Sequence, residues 1–273
     1  MAAVTHVKIY GERNSGTTVL HRSVRRNFDI GIIRKKGVRR ERRRRAEEAA
    51  GALAGRARRE TREAAIDDLA AETMEIDLGW KHCAPPLDLI AADPRTPHIL
   101  FLVITKHPCF WLGSMFRNPY HRLTPGGRPA SFSAFLREPW TPVGRDNIGE
   151  ATLPSAADLY RVKLERYRDL LDAAPHALHI RYEDFVGDYQ GTFDRIADKL
   201  GAPKKAWDLV EKSVKASDDT FEDYARRYRL EEAGADFDTA DLALIDRAIP
   251  APLAERFGYR IAAAQASARP MNA

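Results

Sequence analysis

The chain reads as an α/β protein with a central parallel sheet flanked by helices, and three observations carry that reading. A β-branched and aromatic run at residues 4–10 turns through glycines straight into a helical stretch. Ile99 to Ile104 is continuously apolar, as a strand covered on both faces of a parallel sheet must be. A third strand candidate at residues 176–182 follows a long amphipathic stretch, so strands and helices alternate. At 273 residues the chain can bury a substantial core, and one principal domain is expected.

Taken in order, residues 4–10 form the first strand and residues 19–28 the first helix. Residues 40–74 are rich in Ala, Arg and Glu and poor in large apolar side chains, which predicts one or two solvent-facing helices broken near Gly51 or Gly55. With its flanks, residues 34–79, this stretch reads as a basic helical insertion or lid. Pro85-Pro86 closes it, and a short helix leads to the strongest strand, 98–105. A helix over 110–116 follows. The Pro- and Gly-rich residues 119–154 form a long irregular region with a short helix over 132–137, usable as a substrate-facing surface. Ala156, Leu159, Tyr160, Leu164, Tyr167, Leu170 and Leu171 then recur at helical spacing behind the cap Ser155, and Pro175 stops that helix. The strand 176–182 is next, then a helix over 192–200 ended by Gly201. Helices over 206–214, 219–229 and 239–249 complete the reading, with a frayed tail after Tyr259. Ligands in such sheets sit at the carboxyl ends of the strands.

Composition sets the function classes aside or keeps them. Hydrophobic content of 44% and charge of 30% are ordinary for a globular chain, and no apolar run has the length that spans a bilayer. The amino terminus lacks a basic start and an apolar middle, so a cytoplasmic protein is expected. Cys83 and Cys109 lack metal-ligand spacing and are expected as buried thiols, with no metal site. The net charge of +5 is local: residues 34–45 hold nine Lys or Arg against one Glu, net +8, leaving −3 for the rest. That run is a solvated face or arm, a contact for an acidic acceptor or anionic lipid surface, or a nucleic-acid contact. No aromatics interleave for base stacking, so nucleic acid is not expected.

Two constellations carry chemistry. Gly11 and Gly16 have the four-residue gap of a nucleotide-binding loop, but Thr17 stands where a Walker loop places its lysine. Backbone N–H groups and the following helix terminus attract an anion there, and the Ser15, Thr17 and Thr18 hydroxyls can donate to it. The second constellation is Lys106, ending the central strand, with Ser114 eight residues on and Pro108 marking the turn between. Lys106 can neutralise a second phosphate and Ser114 can donate to it. The pair of sites suits a nucleotide with phosphates at both ends.

These residues resemble the sulfotransferases. Glu12-Arg13-Asn14-Ser15-Gly16-Thr17-Thr18 is similar to their 5′-phosphosulfate loop, and Thr105 to Pro108 through Ser114 to Tyr120 to their 3′-phosphate strand and helix. Arg181-Tyr182-Glu183-Asp184-Phe185 resembles the tyrosine-acidic loop after a later strand, and Phe257-Gly258-Tyr259 the ends of many bacterial members. The resemblance implies a P-loop-NTPase-like three-layer fold and the donor 3′-phosphoadenosine 5′-phosphosulfate, without a metal. Arg13, Asn14, Ser15, Gly16, Thr17 and Thr18 would hold the 5′ side, Lys106 and Ser114 the 3′-phosphate, and Tyr182 would approach the adenine or close the pocket. His82 in Gly-Trp-Lys-His-Cys lies where that family keeps its lysine and histidine pair, and imidazole is suited to accept a proton near neutral pH. Lys81 would stabilise the leaving oxygen. Glu12 is the rival base, because some branches use a glutamate.

The chain departs from that pattern twice. Asn14 stands where the family usually has Lys or Arg before the loop serine, with Arg13 one step earlier. A glycine-bearing Arg-Lys loop near the carboxyl end, which clamps the 3′-phosphate in many members, has no counterpart, and Arg226, Arg227 and Arg229 are the substitutes. The expected acceptor is a hydroxyl, then an amine, on a small molecule, carbohydrate or lipid. The alternatives are a P-loop kinase of small molecules, which would need ATP and magnesium, and a nucleotide- or nucleic-acid-binding protein without catalysis.

Overall fold

A computed structural model describes residues 3–34, 38–119, 129–201 and 219–261. In chain order the elements are β1 (His6–Tyr10), α1 (Thr17–Asn27), β2 (Gly31–Ile32), α2 (Val38–Ala50), α3 (Gly55–Glu72), α4 (Met74–Asp77), α5 (Leu87–Ala92), β3 (Ile99–Thr105), α6 (Pro108–Arg117) and α7 (Phe132–Arg137). Then come α8 (Ala156–Ala173), β4 (Ala177–Arg181), α9 (Tyr182–Gly187), α10 (Tyr189–Leu200), α11 (Phe221–Arg227), α12 (Thr239–Ala248) and α13 (Ala251–Arg256). The four strands form one all-parallel sheet in the order β2-β1-β3-β4.

Helices cover both faces, giving the three-layer α/β arrangement. On β3 the side chains divide by parity: Leu100, Leu102 and Ile104 join Leu20 and Val24 of α1 and Phe185 and Phe193 of α9 and α10. Phe101 and Val103 join Trp111 of α6, Tyr160 and Leu164 of α8 and Ile245 of α12. Every β3 residue is buried, which is why its sequence is apolar without alternation. Register then sets function. Tyr10 pairs with Val103, and Thr105 pairs with Arg181, so residues 11–16, Lys106 and Tyr182 all leave the sheet at one edge.

The insertion between β2 and α5 contains the helical pair α2 and α3. Arg45 pairs with Glu72 at 2.7 Å and Arg58 with Glu47 at 2.6 Å, so the two run antiparallel. Among the described residues of α3 only Leu69 is buried, so ion pairing rather than a large core joins them.

Sequence reasoning places the long elements within a few residues and misses four short ones, among them the four-residue α4. The two-residue β2 is too short to show a period. The six-residue α9 occupies the stretch expected as a loop, and α13 was passed over as part of the carboxyl-terminal approach. Residues 206–214, the tail after residue 261, and residues 35–37 of the basic run lie outside the described residues. Both cysteines are buried free thiols. Among the described residues no helix is long and apolar enough to cross a membrane.

Candidate functional site

The loop between β1 and α1 closes on itself. Ser15 donates from its backbone N–H and from Oγ to the Glu12 carbonyl, at 3.2 and 2.5 Å. Asn14 and Gly16 both have left-handed backbone, φ 65 and 89, which asparagine tolerates and glycine adopts freely. Gly16 is also required by contact: a Cβ there would stand 2.5 and 2.7 Å from two ring atoms of Tyr182. Helix α1 starts at Thr17 with no side-chain cap and no acid in its first turn, so its amino-terminal N–H groups are available to an anion.

A buried charge cluster supports the loop from beneath. Lys163 of α8 pairs with Glu12 at 3.0 Å and Asp146 at 3.2 Å, all three fully buried, and donates to the His82 carbonyl at 2.5 Å. Burial alone would lower the Lys163 ammonium, but the Asp146 and Glu12 carboxylates together hold it above its ordinary value. Trp111 Nε1 donates to the Arg13 carbonyl at 2.8 Å. The Arg13 guanidinium turns inward onto Trp80, 4.5 Å from the ring centroid, and stops 3.9 Å from Asp146. Arg145 lies at 4.9 Å from the same ring and pairs with Asp67 at 2.5 Å and with Glu63, so α3 is tied to the segment that carries Trp80.

That segment holds Lys81 and His82. Lys8 donates to the carbonyls of Asp77 and Gly79, and Tyr10 to that of Leu78, so β1 sets its path. The Gly11 N–H donates to the Lys81 carbonyl at 3.0 Å, and His82 Nδ1 donates back to the Gly11 carbonyl at 2.6 Å. Lys81 Nζ reaches Thr18 Oγ1 at 3.0 Å, beside the first turn of α1. Burial pushes the His82 imidazole well below its ordinary value, and the Lys81 and Arg13 cations push the same way. At neutral pH the ring is neutral, with Nδ1 carrying the proton and Nε2 the lone pair.

The second constellation meets the first. Lys106 Nζ donates to Ser114 Oγ at 3.1 Å, and Asn14 Nδ2 lies 3.4 Å from the carbonyls of Ser114 and Asn118. Tyr182, which packs on Gly16, also takes the Lys106 ammonium 4.9 Å from its ring centroid. Tyr228 takes it at 3.5 Å. Behind Lys106, Glu183 accepts from the His107 N–H at 2.8 Å, and burial pushes its carboxyl up to about 7. Lys106 itself is held by Tyr160, whose hydroxyl bonds the Lys106 backbone from α8.

Gly16, Thr17, Thr18, Lys81, His82, Asn14, Lys106, Ser114 and Tyr182 therefore come together around one sheet edge. Three candidates face elsewhere. Arg13 has both terminal nitrogens buried against Trp80, the Ser15 hydroxyl is used within its own loop, and Glu12 is sealed in the ion pair with Lys163. Glu12 and Ser15 are bound within the protein, and the Arg13 terminal nitrogens lie buried against Trp80 without a hydrogen bond, 3.9 Å from Asp146 at the nearest. The substitutes Arg226, Arg227 and Arg229 pair with Asp223, Asp219 and Glu232. Tyr228, Trp80, Arg145, Asp146 and Lys163 escaped sequence reasoning, because partners distant in the chain give no spacing to read. No family model matches the chain, and no curated protein matches it.

Proposed function

We propose that this protein transfers a sulfuryl group from 3′-phosphoadenosine 5′-phosphosulfate to an acceptor hydroxyl, with an amine as the second choice. The observation that carries the reading is the meeting of two anion sites across Tyr182: its ring touches Gly16 of the first loop and faces the Lys106 ammonium of the second. The residues fit such a donor: uncapped α1 N–H groups, Thr17, Thr18 and Lys81 for the 5′ side, and Lys106 with Ser114 for the 3′-phosphate.

In the transfer, the acceptor oxygen forms a bond to sulfur while the bond from sulfur to the bridging phosphate oxygen breaks. His82 Nε2 takes the acceptor proton, and the leaving 5′-phosphate keeps the electron pair. Lys81 and the α1 N–H groups stabilise that developing charge, so positioning and electrostatics supply most of the rate. Carbohydrate, lipid and small-molecule hydroxyls all suit the reaction, and the cytoplasm supplies the nucleotide.

Calorimetry with 3′,5′-adenosine bisphosphate in the presence of EDTA tests the reading. Tight binding of the bisphosphate, with ATP much weaker, is the expected result. Equal or better binding of ATP, dependent on magnesium, moves the conclusion to a small-molecule kinase.

A further inference from the structure

We propose that Tyr228 is a displaceable cover of the donor site, shielding the Lys106 ammonium until a 3′-phosphate takes its place. The inference rests on the donor reading above and adds a residue and a movement to it. Lys106 is 2% exposed, so no anion reaches its ammonium unless a neighbour leaves. Among the described residues two rings lie over it, Tyr182 at 4.9 Å and Tyr228 at 3.5 Å. A ring face and a phosphate oxygen attract the same ammonium and cannot both touch it there.

Tyr228 is the ring that can leave. Tyr182 opens α9 directly at the end of β4, and its ring is lodged against Gly16. Tyr228 follows the seven-residue α11, which is anchored at its other end, where Phe221 meets Phe185 and Tyr189 at 5.7 and 5.2 Å between ring centroids. Beside Tyr228, Arg226, Arg227 and Arg229 pair with Asp223, Asp219 and Glu232, acids of the same stretch. The arm carries its own counter-ions, so lifting it breaks none of these pairs. The ring contacts it gives up, to Phe110 at 5.3 Å and Tyr182 at 5.4 Å, are edge contacts. A nucleotide without a 3′-phosphate leaves the cover in place.

Titrations of 3′,5′-adenosine bisphosphate and adenosine 5′-phosphate into the full chain and its variants test this. Tyr228→Ala is expected to bind the bisphosphate about 3- to 30-fold more tightly, the scale of one cation–π contact, with adenosine 5′-phosphate within about 2-fold. Tyr228→Phe, which keeps the ring face, is expected to match the unaltered protein. Weaker bisphosphate binding by Tyr228→Ala overturns the proposal, because the ring would then hold the ligand instead of competing with it. Hydrogen exchange on the unaltered protein decides the matter if the alanine variant does not fold: amides of residues 221–232 should exchange faster with bisphosphate bound, and slower exchange overturns the cover. If the unaltered protein binds no bisphosphate, the donor reading fails and the cover falls with it. Binding by the unaltered protein with a wrong-signed variant removes the cover alone.

Discussion

His82 Nδ1 donates to the Gly11 carbonyl across 2.6 Å. A carbonyl only accepts, so this contact fixes the tautomer and leaves Nε2 as the basic nitrogen. It also ties the proposed base to the first residue of the phosphate loop, so base and cradle keep one geometry. The return bond, from the Gly11 N–H to the Lys81 carbonyl, makes the coupling two-sided.

His82→Ala should lower turnover by about 10²- to 10⁴-fold, the usual worth of a positioned general base, while bisphosphate affinity stays within about 3-fold. Burial, Lys81 and Arg13 hold the ring well below 6.5, so it is already neutral at pH 7. The rate should stay level as pH falls through 6.5 and decline only in more acidic solution. A decline centred on 6.5 would show a base with ordinary solvation and point away from His82.

Lys106→Met keeps the buried stem and removes the ammonium that donates to Ser114. Bisphosphate affinity should fall by about 1.5–3 kcal/mol, roughly 10- to 150-fold, as for a lost charge-assisted hydrogen bond. Adenosine 5′-phosphate, which lacks the group Lys106 would meet, should be nearly unaffected. Equal losses for the two ligands in calorimetry would refute the assignment.

Lys163→Met strands the Glu12 and Asp146 carboxylates in a site with no solvent access. Removing one partner from a buried ionic cluster destabilises by about 3–5 kcal/mol, to be read from urea unfolding. Adding Glu12→Gln should recover part of that loss, since Asp146 still faces the buried Arg13 guanidinium at 3.9 Å and the stranded Glu12 charge is removed. A single variant as stable as the parent would mean that water reaches the cluster.

Acid should destabilise the fold before the carboxylates titrate. Burial is the first cause that lowers His82, His107 to about 4, His179 to about 3 and His21 to about 4, from 6.5 in each case. Below 6.5 the unfolded chain binds protons that the folded chain refuses, so the stability these groups contribute is present above 6.5 and lost as pH falls toward their folded values. Glu183 acts oppositely: raised from 4.5 to about 7, it favours the folded state in acid and loses that contribution as pH rises through 7. Four histidines outweigh one carboxyl, so the melting temperature should drop between about pH 6.5 and 4.5. A melting temperature that holds or rises across that interval would contradict the burial of these rings.

Much of the fold was legible because its signals are local. The continuous apolar run Ile99 to Ile104 has the length and β-branched content of a strand covered on both faces, and the spacing from Ala156 to Leu171 is that of a helix with one buried stripe. The unpredicted elements of two to six residues, β2, α4, α9 and α13, carry too few positions to display a period.

The sequence by itself determined that a glycine turn links a strand to a helix, that Lys106 ends the central strand, and that Ser114 lies on the helix after it. Those properties depend on neighbours in the chain. Only the tertiary structure decided which side chains face the sheet edge. Glu12 turns inward onto Lys163, and Arg13 turns inward onto the Trp80 ring near Asp146, partners that are far away in sequence. Tyr228 reaches Lys106 because α11 packs beside α9. Orientation is settled by charges and rings that meet through space, and their separation along the chain leaves no pattern to read.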